Sequence, residues 1–395
     1  MKPFYYLLLC LALTAGATSL YGQRNNDNDE DGDEAEMDLS KLKREKLTLA
    51  KNAPPVAIAI TPLEGDAVAY MPQPGVTASA PATGQVSVGL VVFNEGKTKL
   101  VWERVIFRYT YNSKPEVKTF QTKGDAGLVV RPGAYTYWQN KRGYHVAGDM
   151  LYFDAPLPAS ITFELFFQGY ARPVVITKDL KPFALAFRLP FKAEDLEQGE
   201  FITTSATHGG SAQVFAYDMT IVGGKKGRLN NKREGKDVDT NENIRVFGKR
   251  VYAIADGELI EYTGNNPDNS KPGVRDTDKA NMISIRHGDY IVRYAHIKQG
   301  SLDPALKAGA KVKAGDYLGM AGNSGHHTSG PHLHICVQRA DGGITPFIFT
   351  NGYVIGREQY NATTPASAWS PLEGRGIPGE KSLIWPGDAP PAPTF

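Results

Sequence analysis

The tetrapeptide Pro331-His332-Leu333-His334 sets two imidazoles two residues apart. On a β-strand, residues i and i+2 project from one face, so these rings would stand side by side on a rigid support. Such a pair can begin a metal site, one ring ligating while its neighbour moves protons. Three further residues can join it. His208 lies in Ser205-Ala206-Thr207-His208-Gly209-Gly210, Asp218 in Phe215-Ala216-Tyr217-Asp218-Met219, and His296 in Tyr294-Ala295-His296-Ile297. Of the chain's 8 histidines, four fall in this set, which marks the motifs rather than the composition. A hydrolytic metal site needs about three protein ligands and an open position for water. It also needs a base, and a group that steadies the developing oxyanion or protonates the leaving amine. Histidine suits both proton tasks, because its unperturbed pKa lies near 6.5.

These stretches are joined by Gly319-Met320-Ala321-Gly322-Asn323-Ser324-Gly325 and by Thr328-Ser329-Gly330 ahead of the His pair. Together they resemble the lysostaphin-type zinc metallopeptidases, or LytM domains, over residues 195–350. Val251-Tyr252-Ala253-Ile254-Ala255-Asp256-Gly257 is similar to the family's strand after the metal Asp. Val312-Lys313-Ala314-Gly315-Asp316 is similar to its turn between the middle His and the glycine-rich hairpin. The resemblance implies an antiparallel-β domain holding Zn2+ through His208, Asp218 and His334, with His296 and His332 as catalytic residues. It further implies hydrolysis of peptide cross-links, with peptidoglycan stem peptides as the partner. Residue types do not divide the two proton tasks; we take His332 as general base and His296 as the oxyanion-side partner. Many family members separate the first ligand His from the Asp by three residues. Here the interval runs from Gly209 to Tyr217, and Gly209-Gly210-Ser211 supplies a loop within it. Two other readings use the same fold: a non-catalytic wall-binding or amidase-regulating protein, and a zinc peptidase for another peptide substrate.

The remaining histidines read as structural or solvated. His287 precedes a Gly-Asp turn, His326 and His327 sit in the glycine-rich loop, and His145 takes no role. Cys336, two residues past His334, shares its strand face and reads as a small buried hydrophobe.

Residues 1–22 read as a signal peptide: Lys2, an apolar run from Phe4 to Ala15, then small residues at Gly16, Ala17 and Ser19. That run is shorter than the ~20 residues that span a bilayer, so no transmembrane segment is expected in the mature chain. The expected destination is periplasmic or extracellular. Of two cysteines, Cys10 leaves with the signal, so Cys336 can form no internal disulfide. Net charge is +2 overall, but residues 1–38 hold eight acids against Lys2 and Arg24, leaving the rest strongly basic. A basic body suits an anionic polymer such as a cell wall, and no motif points to nucleic acid. Asp27 to Asp38 matches the opening of a calcium loop, yet no apolar helix precedes it, so an acidic linker is the better reading.

The elements that must carry the site are β throughout. Residues 23–54 read as an acidic, charged linker with a helical tendency in Lys41 to Lys51, stopped by Pro54-Pro55. Residues 55–190 show strand-length apolar runs such as Val86 to Phe93, Leu100 to Tyr109 and Ile161 to Phe167, separated by Asn/Gly/Pro turns. This predicts an immunoglobulin- or fibronectin-like β-sandwich. Residues 191–350 predict the antiparallel-β peptidase domain, with strands at 213–222, 249–262, 281–296, 316–321 and 332–338. Gly223 to Asn243 reads as a basic surface insertion. Residues 351–395, with seven prolines from Pro365 to Pro393, read as an irregular, extended tail.

Overall fold

The computed structural model describes residues 39–123, 126–140, 150–205, 215–224, 229–235, 240–325, 330–340, 345–378 and 382–392. The expected signal peptide, the acidic run and His145, His208, His326 and His327 lie outside the described residues. Within them the chain is β, with four short 3-10 turns as its only helical elements. The helical tendency of the charged stretch amounts to one such turn, Leu39–Lys41. Arg44 then forms a bridge to Ala59, because pairing with the strand Val56–Thr61 outweighs an isolated short helix.

The first half folds by alternation. Ser160–Phe167 buries Ile161, Phe163, Leu165 and Phe167 while the residues between them stay partly exposed. It lies in a large sheet whose order is Leu151–Asp154, Thr83–Val86, Ala67–Gln73, Val174–Pro182, Ser160–Phe167, Leu100–Tyr111, Lys114–Gln121. All of its pairs are antiparallel except Ala67–Gln73 with Val174–Pro182. A three-stranded antiparallel sheet, Val56–Thr61, Gly89–Asn94 and Tyr135–Gln139, shares its core. Ile58, Ile60, Leu90 and Val92 of the small sheet pack with Trp102, Phe107, Phe163 and Leu165 of the large one. Phe107 meets Phe163 edge to face at 4.8 Å and Phe120 at 4.9 Å.

The second half is built on one antiparallel sheet of ten strands. Its order is Lys311–Val312, Gly257–Tyr262, Met282–His287, Tyr290–Ala295, Leu333–Arg339, Tyr217–Val222, Phe201–Ser205, Ser382–Trp385, Tyr353–Gly356, Ser370–Pro371. The predicted strands recur, most in shortened form, the one at 332–338 shifted by one residue, and those at 249–262 and 281–296 each divided in two. Residues 249–262 split into Arg250–Tyr252, which pairs with Tyr317–Met320 outside the main sheet, and Gly257–Tyr262 within it. The tail differs from its sequence reading. Tyr353–Gly356, Ser370–Pro371 and Ser382–Trp385 extend the main sheet by three strands rather than forming an irregular strap. Their apolar cores, Val354-Ile355 and Leu383-Ile384, are fully buried, and these short runs are what the surrounding prolines hide from a periodicity reading.

The two halves meet at Met71. It packs in the core of the second half, and its Sδ accepts a hydrogen bond from the Tyr217 hydroxyl at 3.2 Å. Gln73 Nε2 donates to the Ile377 carbonyl at 3.0 Å, and Gly376 N to the Pro72 carbonyl at 2.7 Å.

Candidate active site

Register brings the candidate residues together. The strand Leu333–Arg339 lies between Tyr217–Val222 and Tyr290–Ala295, so His334 faces Asp218 on one side and Ala295 on the other. His296 follows Ala295 directly, and His332 precedes the strand, bridged to Gly322. Directly opposed residues in an antiparallel pair hold their Cβ atoms ~4.5–5.5 Å apart, close enough for short side chains to touch. His334 Nδ1 lies 2.8 Å from Asp218 Oδ1, and His332 Nε2 lies 3.4 Å from the same oxygen. Both rings of the His-x-His pair therefore reach one carboxylate from one face, as the strand periodicity predicts. The His296 ring centre is 4.5 Å from that of His332 and 6.1 Å from that of His334.

Four of the five predicted residues thus form one cluster, and His208 lies outside the described residues. Among the described residues, no three His, Cys, Asp or Glu side chains form a group that could hold a metal ion. The donors present still suit zinc in kind, a carboxylate and imidazole nitrogens. Bonds of ~2.0–2.1 Å to a tetrahedral ion hold donors about 3.3 Å apart, which Asp218 Oδ1 and His334 Nδ1 approach within about half an ångström.

Backbone carbonyls orient the other two rings. His296 Nδ1 lies 2.7 Å from the Ser324 carbonyl, and His332 Nδ1 lies 2.8 Å from that of Gly330. A carbonyl only accepts, so each Nδ1 carries a hydrogen and donates it, leaving Nε2 as the basic nitrogen of the neutral ring. Desolvation, and then the neighbouring His332 and His334, hold the His296 pKa well below the usual histidine value. His296 also stands at φ 62°, a left-handed conformation that costs a non-glycine residue about 1–3 kcal/mol. The Gly322 N–H donates to its carbonyl at 2.8 Å. Gly322 has no alternative here: a Cβ would run into the Lys298 backbone and the Asp268 carboxylate.

Sequence reasoning missed the polar scaffold behind His296. Asn269, Asn281, Asn323 and Ser324 are buried. Asn269 Oδ1 accepts from the Asp276 and Thr277 backbones, while its Nδ2 donates to the carbonyls of Asn323 and Gly325. Only Asn323 and Ser324 fall inside a quoted motif; Asn269 and Asn281 sit in ordinary-looking loop sequence with no spacing to announce them. Of the other histidines, His287 is structural as expected: its Nδ1 lies 2.6 Å from the Asp256 carbonyl, and its ring packs edge-on against Phe187. Cys336 is partly buried, opposite Arg293.

Part of the chain around this site is similar to known proteins. Residues 233–346 match Peptidase family M23. The matched stretch contains His296, His332 and His334 and begins after Asp218. Over 89 residues the chain is 35% identical to an "Uncharacterized metalloprotease" of Buchnera aphidicola subsp. Baizongia pistaciae, a stretch covering 22% of this chain and 19% of that protein. It is also 35% identical over 89 residues to "Peptidoglycan DD-endopeptidase ShyA" of Vibrio cholerae, covering 22% and 17%. The matches thus span less than a fifth of those relatives. Among solved structures, LytU is 21% identical with a TM-score of 0.23, covering 39% of this chain and 82% of that one. The lysostaphin catalytic domain from Staphylococcus simulans is 19% identical with a TM-score of 0.22, covering 40% and 94%. Scores this low add nothing to the sequence match. Residues 233–346, within the second half of the chain, thus match the model of Peptidase family M23.

Proposed function

We propose that the chain is an exported zinc endopeptidase that hydrolyses peptide cross-links of bacterial peptidoglycan. The observation that carries this reading is the Asp218–His334 contact with the His332 and His296 rings beside it. The M23 match and the likeness to a peptidoglycan endopeptidase support it. The apolar run from Phe4 to Ala15 supports export to the periplasm or beyond. His208, Asp218 and His334 would hold the ion. Bound there, zinc supplies Lewis acidity that polarises a scissile carbonyl and brings the pKa of water down to ~7.

The chain's own residues move the protons. Each catalytic ring has its Nδ1–H committed to a backbone carbonyl, so protons are taken and returned at Nε2. Uptake from the attacking water belongs to His332, whose imidazolium form is stabilised by the Asp218 carboxylate beside it. His296 stands against that ring on the oxyanion side, and a proton gained at its Nε2 is what it presents to the developing charge.

Incubating the purified full chain with zinc on whole peptidoglycan, followed by mass spectrometry of the products, tests the reading. Wild type should convert cross-linked dimers to monomers, and His334→Ala should lose both this activity and stoichiometric zinc. Zinc binding without release would overturn the peptidoglycan assignment. Failure to bind zinc would overturn the catalytic one.

A further inference from the structure

Among the described residues, positive φ at a non-glycine occurs at Asn112 and Ser113, in a hairpin turn, and at His296. The first two are turn residues that tolerate this conformation. His296 instead leaves a strand directly beside the other candidate residues, so its backbone has to be held in place from outside.

Ser324 does the holding twice over. Its carbonyl accepts the His296 Nδ1 hydrogen at 2.7 Å. Its hydroxyl donates to the Ile297 carbonyl at 2.9 Å and accepts from the Asn281 N–H at 2.9 Å. Asn281 Nδ2 reaches the same Ile297 carbonyl at 3.0 Å, and the Ile297 N–H donates to the Asn281 carbonyl at 3.1 Å. One fully buried serine therefore fixes both the ring and the peptide that follows it. Ser324 is itself secured on either side, since Asn269 Nδ2 donates to the carbonyls of Asn323 and Gly325, each at 2.8 Å.

We propose that Ser324 is a positioning residue for His296, setting its tautomer through the carbonyl and its backbone turn through the hydroxyl. The proposal rests on reading His296 as a proton-handling ring. A rotated ring, or one whose hydrogen sits at Nε2 instead of Nδ1, would have no lone pair at Nε2 with which to take up the proton it later presents to the developing charge, a change that leaves the Asp218–His334 pair untouched.

The test uses the full chain with 15N-labelled histidine. Long-range 1H–15N correlation, assigned with His296→Gln, should show wild-type His296 as the Nδ1–H tautomer and a tautomer mixture in Ser324→Ala, which keeps the carbonyl but loses the hydroxyl that holds the turn and with it the ring's alignment to that carbonyl. On peptidoglycan, Ser324→Ala should lower kcat about tenfold, a part of the 10²–10⁴ that general acid–base catalysis contributes, with KM within about twofold. Zinc content should be unchanged, and Ser324→Thr, which keeps the hydroxyl, should recover most of kcat. A wild-type Nε2–H tautomer would overturn the proposal. So would wild-type kcat and tautomer in Ser324→Ala, or a kcat loss accompanied by lost zinc or lost fold. A wild type inert on peptidoglycan would sink the functional reading alone, because the tautomer is read without substrate.

Discussion

His296, His332 and His334 share a side-chain type and little else. His334 turns Nδ1 to Asp218, whereas the other two give that nitrogen to a backbone carbonyl and keep Nε2 as the basic nitrogen. Which nitrogen a ring offers is thus decided by its backbone surroundings, and no spacing rule in the sequence encodes it. The shared face of His332 and His334 was legible, because a strand's period of two is a local property, while Asp218 and His296 entered through the family resemblance. The Asn269–Asn281–Ser324 scaffold was not legible, because its partners lie far apart in sequence and its residues carry no distinctive pattern. His287 gives a pH signature at this scale. Burial depresses its pKa below the usual 6.5, against an opposing pull from its bond to the Asp256 carbonyl. Below pH ~6.5 the unfolded chain binds a proton that folded His287 still refuses, so stability falls as pH drops from that point toward the folded pKa. Urea unfolding at pH 7.5 and 5.5 should show a shallower decline for His287→Gln than for wild type. Equal slopes would exclude His287 as the source.

Among the elements, the strand Phe201–Ser205 matters because it leads into the segment that carries His208. It is held between Tyr217–Val222 and Ser382–Trp385, and the Thr203 hydroxyl donates to the Ser382 carbonyl. Ile384 faces Ile202 and is fully buried. Ile384→Ala should cost about 2–5 kcal/mol, measured by equilibrium unfolding, since truncating a buried isoleucine removes its transfer free energy and leaves a cavity. A cost below about 1 kcal/mol would mean that the last strands are not integral to the sheet. The hairpin Met282–His287 with Tyr290–Ala295 was read from the sequence as one strand at 281–296, although the Gly288-Asp289 turn lay inside it. Joining Ser382–Trp385 to Phe201–Ser205 was not legible. That pairing depends on complementarity between distant segments, and a three-residue apolar run ended by proline gives too little periodicity to find.

For the whole molecule, the Met71 contact predicts that the two halves unfold as one thermodynamic body. Met71 is 1% exposed and packs with Tyr217, the residue before Asp218. Met71→Ala should lower a single calorimetric transition of the full chain, at a cost of about 2–5 kcal/mol. Two separate transitions, with only one of them moved, would show that the halves melt independently. The large sheet has a further consequence for timing. Thr203 meets Ser382 across a separation of 179 residues, and pairings this distant are among the slowest to form. The strand leading to His208 gains its second neighbour only once residues 382–385 have been synthesised. A growing chain therefore lacks the second neighbour of that strand until its last strands have emerged. Strand order thus makes the completion of this sheet a late event, set by the last residues to be made.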